Sequence, residues 1–266
     1  MKRDGHIHTH FCPHGTKDST KSYIEKAIKS GFTDISFTEH APLPVNFTDP
    51  TPDQDSSISM EHLMPYVEEI TQLKNVYQKD IRIRIGLEVD FIAGYEKEIR
   101  SFLNDIGPSL DDAILSVHFL QVGKRYFCAD FSKEVFAELA AASGSVEAAY
   151  QLYYDTVEAS IQADLGPFKP KRIGHPTLIH KFQLAHGEKI NDSAQIRHIL
   201  QLMKKAGCEL DVNGAGFSKP DCQEAYPPLP FIEYAKSLGI PLVFGSDAHN
   251  VNGLHKHHEK IYTYLS

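Results

Sequence analysis

The sequence predicts an α/β fold, a seven-stranded (β/α) barrel of the TIM type, and three observations carry that prediction. Short apolar segments alternate with helical stretches along the whole chain, an order that builds a parallel sheet with right-handed crossovers. Nine residues that bind metals well, His6, His8, His14, His40, Glu88, His118, His175, Asp247 and His249, fall at or just beyond the ends of the seven predicted strands. A barrel brings its strand C-termini to one rim, so ligands scattered over the chain can meet there, and ligands near both chain ends favour closure over an open sheet. Finally, a chain of 266 residues suits one undivided domain spanning 1–266.

The elements follow in order. The first strand, Lys2 to His8, is polar because its end carries candidate ligands. A helix beginning near Ser19 closes at Gly31, a residue type favoured just past a helix end, and leads into the strand Thr33 to Thr38. Pro42 to Ser59 is rich in Pro, Asp and Ser without a helical period; a connection this long suits a lid or binding loop. Ile81, Ile83, Ile85, Leu87 and Val89 alternate with polar or small residues, marking the strand Ile81 to Val89. Ala113 to Val117 is the fourth strand, after which Gln121 to Lys133, with Lys124, Arg125 and Tyr126, breaks the repeat. Arg172 to Gly174, Cys208 to Val212 and Pro241 to Gly245 complete the set, with Gly207 and Gly239 closing the helices before the last two.

Composition narrows the function. No apolar run approaches the roughly 20 residues that span a bilayer, and the opening Lys2, Arg3 and Asp4 carry no secretory signal. Cys12, Cys128, Cys208 and Cys222 form no CxxC pair and suit a reducing cytoplasm. A net charge of −8 argues against a large nucleic-acid footprint, leaving a small molecule as the expected partner.

The candidate ligands come in short pieces. His6 and His8 are two residues apart, so a strand points both to one side; Asp247 and His249 repeat that spacing. His14 sits in Phe11-Cys12-Pro13-His14-Gly15, and the remaining pieces are Thr38-Glu39-His40, Gly86-Leu87-Glu88-Val89-Asp90, Ser116-Val117-His118 and Gly174-His175-Pro176. Carboxylates can bridge two cations, and imidazole suits zinc, iron or manganese. Glu39 and Asp90, beside these pieces, are expected behind the ligands and are the candidates for giving the leaving alcohol its proton. His10, His62, His186 and His198 lie away from strand ends and read as surface or packing residues, and His255, His257 and His258 read as a solvated helix face.

From the opening HxH to the closing DxH, these pieces resemble the polymerase-and-histidinol-phosphatase (PHP) family. The resemblance implies a distorted seven-stranded (β/α) barrel with three divalent metal ions. It would place His6, His8, Glu88 and Asp247 on the first ion, His118 and His175 with bridging Glu88 on the second, and His14, His40 and His249 on the third. Phe11-Cys12-Pro13-His14-Gly15 and Ser116-Val117-His118-Phe119-Leu120 look most like the histidinol-phosphate phosphatase branch. That branch implies hydrolysis of L-histidinol phosphate to L-histidinol and phosphate, in histidine biosynthesis. Its members carry phosphate-directed arginines where this chain has His180-Lys181 and Ser218-Lys219. Lys181 and Lys219 are therefore the expected phosphate ligands, as point charges without the arginine fork.

Catalytic weight is expected on His6, His8, Glu88 and Asp247, which would hold the cations that activate water; no Ser or Cys nucleophile motif and no Walker-type loop is present. Asp49, Asp53 and Asp55 of the long loop are candidates for the substrate's cationic amine. The alternatives are a PHP-type enzyme acting on another phosphomonoester or on a phosphodiester, and a protein that stores metal or binds a partner through it.

Overall fold

The computed structural model describes residues 2–187 and 189–265. Its main sheet has seven parallel strands in the spatial order β1 (Arg3–Ile7), β2 (Asp34–His40), β3 (Arg82–Asp90), β4 (Asp112–Ser116), β7 (Arg172–Ile173), β8 (Glu209–Asn213) and β9 (Leu242–Gly245). All seven expected strands are present, displaced by one or two residues at their ends. Between them run the helices α1 (Thr20–Lys29), α2 (Met60–Val76), α3 (Glu96–Ile106), α4 (Lys133–Ser143), α5 (Val146–Gln162), α6 (Ser193–Ala206), α7 (Leu229–Ser237) and α8 (His258–Leu265).

The barrel closes by only a few bonds. Ile7 bridges Ala248 in parallel, His8 N donates to Ala248 O (3.0 Å), and Asp247 N donates to His6 O (2.8 Å). Closure therefore falls on the same residues that the sequence marks as ligands. The two-residue strand β7 is the other source of distortion, pairing with each neighbour over two positions.

Local chemistry sets the helix ends. Ser19 caps α1 by accepting from Ser22 N, and Gly31 follows at φ 75°, a left-handed conformation that glycine adopts without strain. Ser132 and Ser145 cap α4 and α5 in the same way, accepting from Val135 N and Ala148 N.

Two segments differ from the sequence reading. The break after β4 is an antiparallel hairpin, β5 (Phe119–Val122) and β6 (Arg125–Cys128), turning at Gly123-Lys124. Its apolar residues pack inward: Phe47 meets Phe119 at 5.0 Å and Tyr126 at 5.1 Å between ring centroids. That contact pins the long loop 42–59 onto the barrel. Asp49, expected to face substrate amine, instead holds this loop together, accepting from Thr51 N (2.9 Å) and Ser56 N (3.0 Å). The second difference is at the C-terminus. His258 is buried against Phe32 and Phe244, and His255 stacks on Phe32 (3.4 Å, 6°) while its Nδ1 meets Asp4 of β1 (2.8 Å), so neither belongs to a solvated face.

The N-terminal mouth of the barrel is filled by charge. Arg172, fully buried, donates to Gly5 O (2.8 Å) and Asp112 (2.8 Å). Arg3 reaches the same carboxylate (2.7 Å), and Arg84 pairs with Asp34 through two bonds. Burying Arg172 is costly unless Asp112 neutralises it. Asp112→Ala should therefore lower the unfolding free energy by about 3–5 kcal/mol, measured by urea denaturation. A loss under about 1 kcal/mol, in the range of ordinary surface substitutions, would show that Arg172 does not depend on this pair.

Candidate metal centre

At the opposite mouth the nine predicted ligands converge, although they come from six of the seven barrel strands rather than all. β1 presents His6 and leads directly into His8 and His14. β2 ends in His40, β3 carries Glu88, and His118, His175, Asp247 and His249 follow β4, β7 and β9. The register sets His40 directly beside Glu88 in the paired strands. Asp247 sits at φ 52°, in the left-handed region that few non-glycine residues occupy. A Cβ on neighbouring Gly245 would collide with the Asp211 carboxylate and the His6 side chain, so only glycine leaves room for the site here.

Glu88 is the hub. His175 Nε2 lies 2.9 Å from its Oε1, His6 Nε2 and His40 Nδ1 lie 3.2 Å from its Oε2, and His8 and His118 approach at 3.5 and 3.8 Å. Ser116 Oγ donates to it at 2.6 Å. Asp247 Oδ1 stands 3.2 Å from His8 Nε2.

Behind this ring five of the imidazoles are oriented from their other nitrogen. His6 Nδ1 donates to Asp211 (3.0 Å), His8 Nδ1 to Glu39 (3.3 Å) and His118 Nδ1 to Asp90 (2.7 Å). His14 Nδ1 donates to Asp55 O (2.9 Å) and His249 Nδ1 to Asp247 O (3.1 Å). Such acceptors fix the tautomer, leaving the Nε2 lone pair directed inward. Glu39 and Asp90 thus stand behind His8 and His118, and Glu39 also accepts from Thr9 N and Oγ1, which leaves it no access to a leaving group.

Asp211 escaped the sequence reading. Its signal was Asp211 and Asn213 alternating with Leu210 and Val212, two polar side chains on the inward face of a buried strand. Asn213 Nδ2 links Asp211 (3.3 Å) to Asp247 (3.2 Å), so the one barrel strand without a candidate ligand supports two of the candidates, His6 and Asp247.

The electrostatics match a site built around cations. Burial alone would lower the His6 pKa, but Glu88, Asp211 and Asp247 raise it well above the ordinary value. Burial opposes and Asp247 and Glu39 overcome it at His8, raised to about 9, as Asp90 does at His118, raised to about 10. Burial and the charge of His8 push His40 well down and His249 to about 3. Against burial, which favours their neutral forms, His6 first among the histidines holds Glu88 and Asp247 well below the carboxylate range. Nε2 of His8 and His249, both ring nitrogens of His40 and Nδ1 of His175 are buried with no hydrogen-bond partner among the described residues.

Three groups of donors lie close enough to share an ion, each with its atoms within 4.8 Å of one another: His6, His8 and Asp247; Glu88, His118 and His175; and His8, Cys12, His40 and His249. Nitrogen-rich sets with one carboxylate, or with a thiol in its place, fit borderline divalent cations such as zinc. His14 is exposed at the rim, its ring 4.9 Å from that of His249.

A cavity of about 500 Å³ opens over this ring, and Lys181, Lys219 and Asp55 are among its walls. Lys181 is held by Asp130 (2.9 Å), and Lys219 is exposed at the edge. Lys256, hidden in sequence among the C-terminal histidines, lines the same space. Asp53 is exposed and, with Asp49, lies outside the walls identified, which leaves Asp55 as the loop carboxylate at the cavity.

The chain is similar to known proteins over most of its length. The family model of the PHP domain matches residues 4–215. The histidinol-phosphatase of Bacillus subtilis (strain 168) is 48% identical over 251 residues, covering 94% of each chain. A crystal structure from Listeria monocytogenes, provisionally assigned as a histidinol phosphatase, superposes with a TM-score of 0.94 at 42% identity, covering 97% of this chain and 99% of that one. A Lactococcus lactis histidinol phosphate phosphatase, solved with zinc, L-histidinol and phosphate, shares the fold at a TM-score of 0.73 and 23% identity, covering 99% and 93%.

The shifted histidines predict how metal-stripped protein responds to pH. Raised values at His8 and His118 stabilise the fold below their ordinary 6.5, a gain lost as pH climbs through about 9 and 10. Depressed His40 and His249 resist protonation, so stability also falls as pH drops below 6.5 toward about 3. The melting temperature of chelator-treated protein should therefore peak near pH 6.5. A steady rise from there to pH 9 would mean the inward nitrogens carry no extra protons.

Proposed function

We propose, for a chain that belongs to the PHP domain family, that it is a metal-dependent phosphomonoesterase hydrolysing L-histidinol phosphate to L-histidinol and phosphate. The observation that carries this reading is the near-full-length likeness to the Bacillus subtilis histidinol-phosphatase. The step it catalyses belongs to histidine biosynthesis. We take residues 1–266 as one catalytic domain, supported by the single apolar cluster that runs from Ile7 to Ile261. No helix among the described residues is long and apolar enough to cross a membrane. A cytoplasmic location is supported by four buried free cysteines.

Three divalent ions, zinc, iron or manganese, would be held by His6, His8, Glu88 and Asp247, by His118 and His175 with Glu88, and by His14, His40 and His249. When bound, such ions supply an activated water as nucleophile and positive charge for the phosphoryl oxygens. The chain's own residues do the rest. Asp211, Glu39 and Asp90 hold three imidazoles in the orientation that keeps their lone pairs inward. Lys181, steadied by Asp130, and Lys219 bring two ammonium groups to the cavity wall, where they attract a dianionic phosphate. Asp55 offers the same cavity a carboxylate for the substrate's amine.

The test is phosphate release from L-histidinol phosphate by purified protein, set against a panel of other phosphomonoesters and a phosphodiester. Higher kcat/KM on another ester would move the assignment within the family. His8→Ala and Asp247→Ala should nearly abolish turnover rather than raise KM, because they remove cation ligands whose effect belongs to the transition state. If kcat stays within about tenfold of the parent under matched metal loading, these residues do not hold the catalytic ions. Lys181→Ala and Lys219→Ala should each lower kcat/KM by about 10- to 150-fold, the loss of one charge-assisted phosphate contact. Unchanged kinetics in both would return the lysines to the surface.

A further inference from the structure

Cys12 is the one cysteine of the four that stands among metal-binding side chains. It is fully buried, and its Sγ lies within 4.8 Å of ring nitrogens of His8, His40 and His249. A buried free thiol commonly acts as a small apolar filler. The surroundings here are different. The second observation is on the histidines: His40, only 7% exposed, has both ring nitrogens without a hydrogen-bond partner among the described residues, and so does Nε2 of His249. Unpartnered buried nitrogens and a sulfur within bonding reach of a shared centre make a donor set rather than a packing defect.

The competing demands on His8 sharpen the assignment. Its Nδ1 is committed to Glu39, and its single remaining lone pair faces Asp247 at 3.2 Å, so it belongs with His6 and Asp247. That leaves Cys12, His40 and His249 as the buried donors of the remaining position. His14, exposed on the neighbouring turn, is the peripheral one. The turn Cys12-Pro13-His14-Gly15 is closed by Gly15 N donating to Cys12 O (3.2 Å), and Cys12 N donates to Thr9 O (3.1 Å), which holds the thiol beneath the cluster.

Building on the metal-dependent reading above, we propose that Cys12 coordinates, as a thiolate, the ion shared by His40 and His249, and that it makes this position select zinc over manganese. The thiol loses its proton to solvent as the sulfur–metal bond forms, without oxidation or reduction. Thiolate is a soft ligand that favours zinc, whereas manganese prefers oxygen donors. Three buried donors leave a fourth position to His14 or to an oxygen of the substrate, as in zinc sites that remain open.

X-ray absorption at the zinc edge on the intact, zinc-loaded chain tests this directly. The expected spectrum contains a sulfur neighbour at about 2.3 Å, and Cys12→Ser should lose it. Cobalt-substituted protein should show a sulfur-to-cobalt charge-transfer band that the same variant lacks. In competition, manganese should displace one ion more readily from Cys12→Ser than from the parent. Should the variant fail to fold, the parent spectrum alone decides. A fully loaded parent with only nitrogen and oxygen neighbours overturns the assignment to Cys12. If that protein still hydrolyses L-histidinol phosphate, the phosphatase reading stands without it; a chain that retains no zinc overturns the Cys12 assignment, and one that binds neither zinc, iron nor manganese overturns both.

Discussion

A nitrogen lone pair cannot rest against a carboxylate oxygen at 3.2 Å unless a cation lies between them, as a proton or as a metal. That constraint governs this molecule. His6 and His8 donate hydrogen bonds from Nδ1 to Asp211 and Glu39, and aim Nε2 at Glu88 and Asp247. Without metal, the arrangement holds together by taking up protons at His6, His8 and His118, where the carboxylates overcome the effect of burial. With metal, each ligand must give up its proton, and the same geometry becomes a coordination site.

The barrel separates two kinds of charge by its length. At one mouth, Arg3, Arg84 and Arg172 neutralise Asp34 and Asp112 and seal the interior. At the other, the histidines and carboxylates converge where the strands end. The few bonds that close β1 onto β9 involve His6, His8 and Asp247 themselves. The bonds that close the fold therefore also hold the site, and the left-handed backbone of Asp247 stands at one of them, its N–H donating to His6 O.

Much of this was legible in the chain because the relevant signals are local. Alternating Ile81 to Val89 marks a strand, Ser19 and Gly31 bracket a helix, and two-residue spacing puts His6 with His8 on one face. What was hidden depends on tertiary neighbours. The hairpin at Phe119 to Cys128 owes its inward packing to Phe47, over seventy residues earlier. Asp49 looked available to a substrate because its composition-rich loop looked open, yet it binds its own backbone. Asp211 lay in a strand with no histidine, and its role depends on His6, which is 205 positions away. His255 and His258 looked solvent-facing from their charged neighbours, but packing against Phe32 decided otherwise.

The central claim is that metals replace protons at inward-facing imidazoles. Calorimetric titration of zinc into metal-stripped protein near pH 7.5, repeated in buffers of different ionisation enthalpy, counts the protons released. The account predicts release of more than one proton per chain, drawn from His6, His8 and His118 in addition to the one that the Cys12 thiol would give up. Saturating zinc binding with no proton release would contradict it, because the ring nitrogens would then have been neutral and unoccupied from the start.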